Sequence, residues 1–205
     1  MRVVLGFSFP ADYVVEQVAE FRSVENVLRP MEKGVWRSGD PTIGLWGQPG
    51  GNAMNLRIIP DKAAEWDAWI PCGSGKLSGI YATPSRDYVC VIAGGDGYWI
   101  NVRDPDQSES IRARTMSITN AVEVPDHNIV VFSNSIELFA YGPSGLLWRT
   151  EQTFWDGIWI HRVDGNKLFG DAWDVPSHDR VPFTLDLLTG QVRGGSNPEK
   201  PQILH

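Results

Sequence analysis

The sequence predicts a mainly β chain with a smaller N-terminal α/β part, its strands forming an antiparallel meander that is propeller-like or sandwich-like, not a closed propeller. Three observations predict this. Beyond residue 76, β-favouring runs alternate at short intervals with Gly, Asn, Asp and Pro. Glycine recurs between those runs, where hairpin turns demand positive φ. Before residue 76, one apolar stripe carries helical spacing, and Asp61 and Pro71 bracket a second short helix. The chain therefore reads as an α/β segment, 1–76, packed on an antiparallel meander, 77–205, together one compact unit. At 205 residues it is long enough to bury a core without staples.

Residues 2–9 read as a first strand, stopped by Pro10, which has no donor to continue a ladder. Val14, Val18, Phe21, Val24 and Leu28 recur at intervals of three and four, one face of a helix over 14–28. Asp12 and Glu16 suit its positive end and Pro30 its stop. GDP at 39–41 and QPGGN at 48–52 punctuate strands 42–46 and 54–59. Asp61, a good N-cap, opens a second helix over 61–69, followed by Pro71. After Lys76 come about eleven strands. Hairpin turns are predicted at GGDG 94–97, PSG 143–145, DGN 164–166 and TG 189–190.

Two segments, AYGPSGLLWR at 140–149 and LDLLTGQVRG at 185–194, share a strand, a Ser/Thr-Gly turn and a returning strand. They resemble the strand-turn-strand units of quinoprotein-type β-propellers, in which a polar or acidic residue precedes a Thr-Gly turn and a Trp closes the returning strand. Trp148 holds that place in the first copy and Arg193 in the second. A whole propeller needs more strands than are read here.

A net charge of −7 argues against nonspecific nucleic-acid binding, which places Lys and Arg along phosphates, and favours partners with a basic surface. Cys72 and Cys90 form neither a disulfide framework nor a paired-cysteine zinc site, which fits a reduced, cytoplasmic protein. Gly6 and Ser8 interrupt the apolar opening, unlike a signal peptide. No apolar run reaches the roughly 20 residues of a membrane span.

Motifs with known chemistry fail on inspection. GSGK at 73–76 has Ile70 where a phosphate loop needs glycine, and Leu77 in place of the metal-binding hydroxyl. GGDGYW at 94–99 lacks the third glycine of a dinucleotide loop. G-x-S-x-G is absent, and His127, His161, His178 and His205 lack metal-site spacing. Catalytic residues, metal ligands and cofactors are accordingly not assigned.

The nine tryptophans are the outlier. Phe154, Trp155, Asp156, Trp159, Asp171, Trp173, Asp174, His178 and Asp179 crowd into one predicted stretch of hairpin. Strand alternation places Trp159 and His161 opposite Ile158 and Ile160, and Asp171 with Trp173. Three readings follow. The tryptophans fill the core while the aspartates cap turns; the face anchors a basic protein partner; or it forms a sugar cleft, with two carboxylates among Asp156, Asp171, Asp174 and Asp179 doing acid and base work.

In the runs GIYATPSRDYVCVIAGGDGYWINV and VPFTLDLLTGQVRGG the chain is similar to uncharacterised bacterial proteins of the immunity type. The resemblance implies a noncatalytic module that neutralises a toxin by binding it. The expected partner-binding residues are Trp155, Asp156, Trp159, Asp171, Trp173, Asp174 and Asp179. A carbohydrate-active or carbohydrate-binding protein is the alternative.

Overall fold

Short runs of β-branched and aromatic residues, cut by turns that glycine permits, fold into strands throughout the described parts of the chain. The structure is a computed structural model and describes residues 4–6, 8–19, 27–30, 36–38, 53–111 and 116–196. It divides into two compact units, Met1–Arg112 and Ala113–His205; residue 76 lies inside the first. The first holds β1 (Val4–Gly6), β2 (Tyr13–Gln17), β3 (Val27–Pro30), β4 (Trp36–Ser38), β5 (Ala53–Pro60), β6 (Trp66–Pro71), β7 (Gly79–Ala82), β8 (Tyr88–Ala93), β9 (Asp96–Asn101) and β10 (Glu109–Ile111). The second holds β11 (Asn120–Val124), β12 (Ile129–Ser133), β13 (Leu138–Gly142), β14 (Gly145–Arg149), β15 (Asp156–Asp164), β16 (Lys167–Asp174), β17 (Asp179–Asp186) and β18 (Val192–Gly194). Pro105–Gln107 and Pro125–His127 are single 3₁₀ turns; every other regular element among the described residues is a strand. None of their helices is long and apolar enough to cross a membrane.

The N-terminal α/β part is therefore a misreading. Residues 14–17, expected in a helix, lie in β2, antiparallel to β5 with Val14 opposite Ile59. Tyr13 is buried and Val14 is 54% exposed, so the period is two. Leu28 falls in β3, and Phe21 and Val24 lie outside the described residues. The second expected helix, 61–69, is a turn followed by β6. Lys62 at φ 63° is left-handed, which a helix does not allow, and β6 pairs back on β5 with Asp67 opposite Arg57. Strand 42–46 lies outside the described residues.

Four sheets result. Two are consecutive four-stranded meanders, β11-β12-β13-β14 and β15-β16-β17-β18, the strand arrangement of a propeller blade. The others are five-stranded, β1-β7-β8-β9-β10 and β2-β5-β6-β3-β4, antiparallel except where β1 meets β7 and β3 meets β6. None closes into a barrel. All four predicted hairpin turns are present, with Gly94, Gly95, Gly145, Gly165 and Gly190 at positive φ.

Each unit buries an apolar layer between its two sheets. In the first, Met54, Leu56, Ile58 and Ile70 meet Ile80, Val89, Val91 and Ile100. In the second, Val131, Leu138 and Ala140 meet Phe154, Ile158, Leu168, Phe183 and Leu185. Each large aliphatic or aromatic side chain so buried contributes about 1.5–3 kcal/mol before entropy is charged against it. An indole ties each pair of sheets: Trp66 Nε1 donates to the Val102 carbonyl and Trp148 Nε1 to that of Leu187, both at 2.9 Å.

The two glycine stretches that resemble nucleotide loops pack on each other. Gly73 N–H donates to the Ala93 carbonyl and Gly75 N–H to Gly94, while Gly95 N–H donates to Leu77 and Gly94 N–H to Ser78 Oγ. A Cβ on Gly94 would stand 2.3 Å from the Gly73 oxygen, so glycine here serves backbone-to-backbone contact.

Candidate functional site

The β15–β18 sheet turns one face to the core through Ile158, Leu168, Ala172, Phe183 and Leu185. Strand alternation puts Trp159, Phe169, Asp171, Trp173, Arg180 and Thr184 on the other face, where all are partly or fully exposed. Two irregularities in the β15–β16 pairing shape it, one between Asp156 and Ile158 and one between Ile160 and Arg162.

The first places Gly157 at φ 65°, and a Cβ there would stand 2.9 Å from Trp159 Cη2. The indole of Trp159 thus lies back against the glycine. From above, Arg180 covers it, with Cζ 4.0 Å from the ring centroid. Opposite Trp159 on β16 is Asp171, whose Oδ2 accepts from His161 Nε2 at 2.8 Å. Next along β16, Trp173 sits between Asp156 on β15 and Arg180 on β17. A second stack repeats the first: Arg162 Cζ lies 4.0 Å over Phe169.

Of the seven residues expected at a partner site, Trp159, Asp171 and Trp173 share this face, and Asp156 begins β15 beside them. Asp174 is buried at 6% exposure, and its Oδ2 accepts from Ser177 N–H at 2.9 Å and Ser177 Oγ at 2.6 Å, closing the β16–β17 turn. Asp179 is exposed and accepts from the Arg180 N–H at 2.7 Å. Trp155 is half-buried; its N–H donates to Ser196 Oγ, which donates to the Trp173 carbonyl. Its indole nitrogen is buried and has no hydrogen-bond partner among the described residues. Asp171, Asp174 and Asp179 therefore make separate contacts, and Phe154 belongs to the core beside Phe183.

Sequence reasoning missed Arg162, Phe169 and Arg180. The signal for Phe169 was its alternation with Asp171 and Trp173 along β16, whereas the arginines join the face only once β15 and β17 are paired to it. The two turn histidines have local roles. His127 donates from Nε2 to the Gly165 carbonyl at 2.9 Å, and His178 holds a left-handed turn position.

A second titratable cluster surrounds the packed glycine loops. Burial and the neighbouring Asp96 push the Cys72 thiol up, which favours its neutral form. Burial, then Asp96 and Cys72, raise Tyr98 as well. Asp96 is an exposed residue, yet its carboxyl lies where a Gly73 Cβ would be 2.7 Å away, and partial dehydration raises it.

No protein-family model matches the chain, and no curated protein matches it. Among solved structures it is similar to a putative TolB from Agrobacterium tumefaciens at 11% identity and TM-score 0.38, covering 71% of this chain and 51% of that one. It is similar to the WD40 β-propeller domain of Doa1 at 11% identity and TM-score 0.39, with 71% and 51% covered. It is similar to the N-terminal domain of Nup159 at 13% identity and TM-score 0.41, with 98% and 55% covered. The chain spans about half the length of each of these structures.

Proposed function

We propose that the chain is a noncatalytic protein-binding module of the immunity type, which occludes a toxin through the open face of the β15–β18 sheet. The observation that carries the reading is the set of aromatic side chains, Trp159, Phe169 and Trp173, standing on a solvent-facing sheet among His161, Arg162, Asp171 and Arg180. Interfaces concentrate their energy in such aromatic and arginine anchors. The net charge of −7 favours a partner with a basic surface by accelerating encounter.

A carbohydrate-binding or carbohydrate-active role for the same face is the competing reading. A pyranose stacks on an open indole, and here Arg180 already covers Trp159; Asp171 is engaged by His161 and Asp174 by its turn. Those contacts favour the protein reading.

The test is co-expression of the chain with the product of the neighbouring gene in a growth assay. The native chain is expected to protect cells, and the double variant W159A/W173A to lose protection while remaining folded by circular dichroism. Equal protection by both proteins would move the contact elsewhere, and no protection by either would remove the toxin reading.

A further inference from the structure

The geometry points to a carboxylate receptor at the Trp159–Arg180 stack: Arg180 takes the carboxylate of an Asp or Glu side chain that the protein partner presents at the centre of the contact. This rests on the β15–β18 face being the contact surface. With its Cζ 4.0 Å over the indole centroid, the Arg180 guanidinium is held against the ring by its carbon, and its N–H groups remain to donate to a planar acceptor. A carboxylate fits their fork with two parallel hydrogen bonds.

The second stack of the same sheet already carries a carboxylate on its guanidinium. Arg162 stacks on Phe169 at the same 4.0 Å, and its Nη1 donates to Asp164 Oδ2 at 2.9 Å. That stack is completed by the chain's own carboxylate. Arg180 makes no ion pair among the described residues. The acids beside it are engaged: Asp171 holds His161 at 2.8 Å, and Asp179 accepts from the Arg180 backbone N–H at 2.7 Å. The stack on Trp159, itself seated on Gly157, also orders the long side chain before a partner arrives, which lowers the entropy cost of binding. Long-range attraction and local recognition then differ in sign: a net −7 chain draws a basic partner, and one acid on that partner supplies the anchor.

The experiment pans a random peptide library displayed on phage against the full chain at physiological salt, then measures synthetic copies of the selected peptides by fluorescence anisotropy. The acidic chain repels acidic peptides in general, so selection of an acid requires a specific receptor. The selected peptides are expected to share one Asp or Glu, and changing it to Asn or Gln weakens binding about tenfold or more. R180K, which keeps the charge and loses the fork, produces a loss of the same size, and R103K, in the first unit and paired there with Asp87, leaves the affinity within about twofold. The assignment is overturned if no peptide is selected, if the peptides share no acid, or if either the acid-to-amide change or R180K leaves the affinity unchanged. A W173A control separates the two levels. If W173A weakens binding and R180K does not, the face stands and the carboxylate assignment falls. If neither changes it, both fall. The substitution on the peptide side needs no folded variant.

Discussion

The indole N–H of Trp148 donates to the carbonyl of Leu187 at 2.9 Å, joining the last strand of one four-stranded sheet to the turn that leaves β17 in the next. Gly190 closes the same contact, since a Cβ there would stand 2.9 Å from Trp148 Cε3. The two segments that look alike in sequence, 140–149 and 185–194, thus touch each other. Trp148→Phe keeps most of the apolar area and removes the donor. The expected loss is about 1–2 kcal/mol, from an unmet carbonyl, read as a lower urea midpoint. Trp66→Phe is expected to act alike in the first unit, through Val102. A midpoint unchanged in both variants would mean that the indole bonds add nothing to the apolar layers.

Turn glycines with similar φ separate by what surrounds them. Gly94→Ala combines a left-handed backbone with a Cβ 2.3 Å from the Gly73 oxygen, and is expected to cost about 3 kcal/mol or more. Gly165 has φ 53° and nothing within 4 Å of its Cβ position, so Gly165→Ala costs about 1 kcal/mol of strain alone. Gly165→Asn is expected to sit close to the native protein, because Asn tolerates that conformation. Chemical denaturation of the three variants side by side checks the order.

Asp186 and Asp96 are expected to bend the pH dependence of stability in opposite directions. The Asp186 carboxylate accepts from the Thr189 hydroxyl and from the Leu188 and Thr189 N–H groups, and the Thr189 hydroxyl leads in lowering its pKa. Its folded value lies below the unfolded one, so its stabilisation is present above about pH 3.9 and is lost as pH falls through the folded value. Asp186→Asn is therefore expected to flatten the acid limb of the stability profile. Asp96 is raised, so its ionised form burdens the fold as pH rises through the folded value. Asp96→Asn is expected to stabilise at pH 7 and to make no difference below the ordinary aspartate range. Urea titrations across pH 2–8 read both effects.

Arg57 and Asp67 face each other across β5 and β6, with Arg57 Nε 3.0 Å from Asp67 Oδ1 and both side chains nearly buried. Asp67→Ala strands a buried guanidinium and is expected to cost about 3–5 kcal/mol. The double variant Arg57→Met/Asp67→Leu removes both charges from the buried site and is expected to recover most of that loss. A double variant as unstable as Asp67→Ala would show that the pair contributes net attraction beyond what apolar packing replaces.

Strand content and turn positions were legible because both are written in single residues. Gly94, Gly165 and Gly190 can adopt positive φ where most side chains cannot, and that requirement depends on no distant part of the chain. The face carrying Trp159, Asp171 and Trp173 followed from alternation for the same reason. The spacing of Val14 and Val18, by contrast, is compatible with a helix or a strand. What decided it was β5, forty residues away, offering β2 and β6 partners on its two sides. The stacking of Arg180 on Trp159 was likewise invisible, because register between strands and a bulge at Gly157 bring them together. By itself, then, the sequence determined where the backbone turns and which residues alternate. Tertiary structure decided which strands pair and which side chains meet, because hydrogen-bonded register acts between segments that sequence spacing treats as unrelated.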